Sequence, residues 1–77
     1  MRRETLILLR KKHGWSQKDI VFMLKDKYGI DITSSYYGMI EKGIRTPQLR
    51  VAMAIAELFG LSIEEVFEQD KPLQKVI

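Results

Sequence analysis

The chain has 77 residues and no cysteine, so neither disulfides nor thiolate metal sites hold it, and one small core of Leu, Ile, Val, Phe and Met must do so. The apolar runs Leu6-Ile7-Leu8-Leu9 and residues 20–24 are too short to cross a bilayer, and Arg10-Lys11-Lys12 ends the first too early for a secretory leader, so a soluble intracellular protein is expected. The formal charge of +3 hides a polarity: residues 1–50 carry 11 Lys and Arg against 5 Asp and Glu, and residues 51–77 carry 2 against 5, which suits either a basic end presented to a polyanion or ordinary solvated surface.

The apolar spacing is helical throughout, with no strand-type alternation. A first helix over residues 3–12 turns Leu6 and Leu9 inward, and Gly14 ends it. Ser16 caps a second helix, with Asp19 three residues on completing a capping box. Ile20, Met23, Leu24 and Lys27-Tyr28 keep a helical spacing along its inner side, and Gly29 breaks it.

Thr33 or Ser34 caps a third helix that closes near Lys42-Gly43. Thr46-Pro47 is expected to cap and open a fourth, with proline where its missing N–H costs nothing. Leu49, Ala52, Met53, Ala56, Leu58 and Phe59 predict a largely buried helix stopped by Gly60. Ser62 caps a short fifth helix, with Glu64 and Glu65 at its positive end and Val66 and Phe67 inward. Residues 70–77, containing Pro72, read as a tail.

Gly38 stands inside the third helix, where glycine costs about 1 kcal/mol. The second and third helices form a helix-turn-helix pattern, and a small residue at their crossing would let the two backbones approach. On that reading, Gly38 is there because a larger side chain would push the helices apart.

Several motifs, in order, resemble the Cro/C1-repressor helix-turn-helix family, also called the XRE family. They are Leu9-Arg10, then Gly14-Trp15-Ser16-Gln17, then Ile40-Glu41-Lys42-Gly43. Arg45-Thr46-Pro47, Ala56-Glu57-Leu58-Phe59-Gly60-Leu61-Ser62 and Glu65-Val66-Phe67 follow. The resemblance implies an all-α, compact five-helix domain like that of lambda repressor over residues 1–69, followed by a short C-terminal tail, 70–77. One departure stands out. The stretch between Gln17 and Glu41 is longer than the family usually shows, by more than one turn, and Val21 replaces a residue that is often small. The extra residues fall at 24–31, which predicts either an extended second helix or a turn opened into a loop.

The resemblance further implies a double-stranded DNA-binding transcription regulator of bacterial or phage origin. It would be a cytoplasmic, nucleoid-associated repressor that binds a two-fold operator as a homodimer, with the third helix in the major groove. Carried over by position, the base-contacting residues are Ser34, Ser35, Tyr36 and Met39. Serine discriminates weakly, and Met39 offers apolar contact to a thymine methyl. With no arginine or glutamine on this face, part of the specificity falls to DNA shape.

Phosphate contacts are assigned to Ser16, Gln17 and Lys18 at the second helix start, with Thr33, Lys42 and Arg45. Lys11, Lys25 and Lys27 read as solvated surface. In the family the Arg10 and Glu41 positions form a structural ion pair tying the first helix to the third. Trp15 reads as core. His13, alone and without ligands at metal spacing, reads as surface, and no cofactor or metal is expected.

Ile63, Leu73, Val76 and Ile77 are the apolar residues left over for a dimer seam, with Ile7 or Leu8 second to them; the other reading of the tail is disorder. A second functional reading is an antitoxin-type or adaptor protein whose main partner is another protein. Neither a membrane nor a small-molecule ligand is expected as a partner. Enzymatic activity is not expected, since no nucleophile with its base, carboxylate pair or phosphate loop can be found.

Overall fold

The computed structural model describes residues 2–68. They form α1 (Glu4–Lys12), α2 (Gln17–Tyr28), α3 (Ser34–Lys42), α4 (Leu49–Leu58) and α5 (Glu64–Glu68), the last a single π-type turn. No strand occurs among the described residues. The expected tail, with Leu73, Val76 and Ile77, lies outside them. Ile63 lies within them and is half-buried against the core.

Local signals set most of the boundaries. The Ser16 hydroxyl accepts from Asp19 N–H at 3.0 Å and the Ser16 N–H donates to Asp19 Oδ2 at 2.8 Å, a complete capping box. Thr33 caps α3 by accepting from Tyr36 N–H at 3.0 Å. Gly43, at φ 80°, ends α3 in a Schellman motif: Ile44 N–H donates to Met39 C=O and Gly43 N–H to Ile40 C=O. A Cβ would strain that left-handed turn. Ser62 and Glu65 exchange the same pair of bonds ahead of α5.

The lengthened α2–α3 stretch uses both expected solutions. α2 continues to Tyr28, and residues 29–33 then form a loop. That loop is anchored, because Ile30 enters the core at 3% exposure and Lys25 Nζ meets Asp31 Oδ2 at 3.4 Å on the surface.

Leu6, Ile20, Leu24, Tyr37, Ile40, Ile55 and Val66 are fully buried and bring all five elements to one centre. α3 packs on α1 and α2, while α4 packs on α2 and α5. At the rim, Trp15 joins His13 and Phe59, with ring centroids 4.5 Å and 5.7 Å away. His13 is thus an exposed residue with an aromatic contact, and its Nδ1 lies 2.9 Å from the Leu9 carbonyl.

Two expectations need correction. α4 begins at Leu49 with Gln48 as N-cap, so Thr46-Pro47 leads into the helix without capping it. Its buried face is Val51, Ala52, Ala54, Ile55 and Ala56, whereas Leu49 is 69% and Met53 53% exposed. A segment so rich in apolar residues on every side does not announce which face the neighbours will cover. The second correction concerns Gly38. A Cβ there would meet the Gln17 side chain at 3.4 Å, an ordinary contact, and not the backbone of α2. Glycine is therefore not required by a close approach of the two helices.

Candidate nucleic-acid interface

The base of the interface is an ion pair. Arg10 Nε donates to Glu41 Oε2 at 2.6 Å and Arg10 Nη2 to Glu41 Oε1 at 3.1 Å, a bidentate contact between α1 and the end of α3. Arg10 Nη1 also donates to the Trp15 carbonyl at 3.0 Å, holding the α1–α2 turn. Burial alone would push the Glu41 carboxyl up, but hydrogen bonds from Arg10 and Gln17, with the Arg10 charge, hold it below the usual carboxylate range. The hydrogen bond to Glu41 likewise raises Arg10.

Two further residues lock α3. Gln17 Nε2 donates to Glu41 Oε1 at 3.0 Å, tying the start of α2 to the same carboxylate. Arg3 donates its backbone N–H to the Glu41 carbonyl at 2.7 Å, and its Nη1 to the Ile40 and Arg45 carbonyls at 2.6 Å and 3.1 Å. A guanidinium at the negative end of α3 also suits its dipole. Beside Glu41, the buried Tyr37 hydroxyl finds no hydrogen bond of good geometry among the described residues, yet it sits close enough to help hold that carboxyl low. Burial, then the Glu41 charge, pushes its pKa up, so the phenol stays neutral.

This scaffold presents one face of α3. Ser35, exposed, and Met39, half-buried, lie opposite the fully buried Tyr37 and Ile40, while the half-buried Ser34 and Tyr36 flank that buried side. Tyr36 also packs against the edge of the core. Lys18, Lys42 and Arg45 are exposed around this face. Lys42 shares a cleft with Arg2, Lys11 and Ile44.

The other expected phosphate ligands are engaged within the chain. Ser16 and Thr33 serve as caps, and Gln17 spends an amide hydrogen on Glu41. Asp19, the partner of Ser16, adds a negative charge at the α2 start.

Sequence reasoning missed Arg3, Phe22 and Ile44. Phe22 is 68% exposed in a groove with Lys18, Val21, Lys25 and Ser34, and Ile44 is 66% exposed beyond α3. Phe22 had a usable signal, since it falls off the 20–24 inner stripe. Arg3 had none, because its partners lie about forty residues away along the chain.

A bundle in which one helix is pinned by its neighbours, with its free face ringed by cations, is the architecture of a DNA-binding helix-turn-helix domain. A family model described as helix-turn-helix matches residues 6–66. The chain belongs to that family, of the Cro/C1 or XRE type, a family of DNA-binding transcription regulators. Comparison with curated proteins and with solved structures found no significant match. No helix among the described residues is long and apolar enough to cross a membrane.

Proposed function

We propose that the protein is a repressor that binds a two-fold DNA operator as a dimer, with α3 in the major groove. The observation that carries this reading is the free face of α3, with Ser35 and Met39 four residues apart on one side and Lys18, Lys42 and Arg45 around it. Ser34, Ser35, Tyr36 and Met39 contact base edges. Lys18, Lys42 and Arg45 hold phosphates, helped by the α2 and α3 starts, where Ser16, Gln17 and Thr33 sit. None of the residues reading bases is an arginine or glutamine that could pair with a base edge through two hydrogen bonds, so direct readout is modest and DNA deformability takes a share of the specificity.

Selection of bound sequences from a random duplex pool tests this, together with a salt titration on the winning duplex and a scrambled one. A palindromic consensus with a steep loss of affinity in salt supports the reading. Weak binding that salt hardly changes, with no enriched sequence, favours the antitoxin-type or adaptor alternative instead.

A further inference from the structure

We infer that the outer strip of α4 is the seam for a second copy of this chain, packed antiparallel about a two-fold axis beside Met53. This deepens the dimer reading above and moves the seam from the tail to α4. The exposed residues of the helix are Leu49, Arg50, Met53 and Glu57, and the rest of it is buried or half-buried. Leu49 and Met53 form an apolar ridge between two shallow grooves, one floored by Tyr28 and Ile30 and the other by Leu61 and Ile63. A ridge bordered by grooves is a shape that can seat a copy of itself, as an isologous contact requires.

The charges select the second copy as the occupant. Arg50 lies three residues before Met53, and Glu57 lies three after Ala54. In an antiparallel pair centred between Met53 and Ala54, each Arg50 therefore faces the Glu57 of the other copy. Arg50 Nη2 also donates to the Tyr28 carbonyl at 3.2 Å, which steadies the guanidinium at the edge of the strip. Two reciprocal ion pairs then flank an apolar centre, in which each Met53 faces the Ala54 that lines the other copy's groove. A parallel pairing would set Arg50 against Arg50 and Glu57 against Glu57, so the pattern also fixes the direction. The strip is compatible with DNA binding, because α4 packs on α2 and α5 while α3 packs on α1 and α2.

The test uses Arg50→Glu, Glu57→Arg and their mixture, in the full chain, by sedimentation velocity and native mass spectrometry. The parent should dimerise at micromolar concentration. Each single reversal, still helical by circular dichroism, should weaken its own dimer roughly tenfold or more by opposing like charges twice. An equimolar mixture of the two should form the heterodimer, since one copy then carries an acid at both positions and the other a base at both. A monomeric parent, reversals that leave the dimer intact, or a mixture that gains no heterodimer would overturn the seam. Binding to a half-site duplex, measured on the same samples, separates this outcome from failure of the DNA reading. A seam that fails while half-site binding persists removes only α4 from the account.

Discussion

The side chain of Gln17 lies across Gly38, with Oε1 3.4 Å and Nε2 3.6 Å from the point where a Cβ on residue 38 would stand. The same amide donates to Glu41. A methyl group fits in that space, and alanine removes the helix penalty of glycine, about 1 kcal/mol. Gly38→Ala should therefore raise the melting temperature. Gly38→Leu should displace the amide and cost about 1–3 kcal/mol by overpacking. A thermal melt in which alanine destabilises as much as leucine would show that backbone, not Gln17, limits the site.

Glu41 makes folding acid-sensitive in a defined direction. Its carboxyl titrates below the usual range in the folded protein, against about 4.3 in an unfolded chain. The stability it contributes is present in full above the unfolded value and is lost as pH falls through the folded one. Urea unfolding free energy should drop on acidification below about pH 4. Glu41→Gln should lose up to about 3 kcal/mol at neutral pH, because Arg10, its side chain 12% exposed, is left without its counter-charge. It should also flatten the acid-side slope. An unchanged slope in that variant would assign the acid sensitivity to other carboxylates.

The hydroxyl of Tyr37 makes no hydrogen bond of good geometry in its buried position, and the Glu41 carboxylate beside it keeps Arg10 and Gln17 as donors, so its removal strands nothing. Tyr37→Phe should leave stability within about 1 kcal/mol of the parent. Tyr37→Ala, which empties the centre of the core, should cost about 3–5 kcal/mol. Denaturant melts of the pair give the contrast; a large loss in the phenylalanine variant would reveal a partner for the hydroxyl.

Reading and gripping should separate on DNA. Ser35→Ala and Met39→Ala should change which duplexes are preferred, by at most about 1–3 kcal/mol for each lost base contact. Lys18→Ala and Arg45→Ala should weaken all duplexes alike and flatten the salt slope by about one. Should Arg45→Ala instead alter preference between A·T and G·C flanks, Arg45 would be reading minor-groove width. Fluorescence anisotropy on a small duplex panel distinguishes these patterns.

What could be read in advance divides by range along the chain. Ser16, Thr33 and Gly43 announce helix ends because capping is satisfied within a few residues, and all three stand where their types predict. The inner stripe of Ile20 and Leu24 was legible for the same reason, as one helix face repeated at about 3.6 residues. Leu49 and Met53 were misplaced because apolar residues surround α4, so only its tertiary neighbours choose the face. At the site, Gln17 reads as a phosphate ligand from its seat at the α2 start, while its partner within the chain, Glu41, lies 24 residues away. Nothing local in a glutamine distinguishes the two uses. Arg10 and Glu41 could be paired only through the family resemblance, since their spacing of 31 residues carries no periodic signal.

The clamp on α3 has a consequence for how the domain assembles. Arg3 and Arg10 reach Ile40 and Glu41 across 37 and 31 residues of chain, so closing these contacts requires the whole first half of the molecule to be in place. Helices α2 and α3 can each form from local signals, yet the angle between them is not their own property. A peptide of residues 16–45 would keep the caps at Ser16 and Thr33 and lose both arginines. It would hold the letters of a helix-turn-helix without its grammar: two helices free to hinge, and a carboxylate at Glu41 with no cation to answer it.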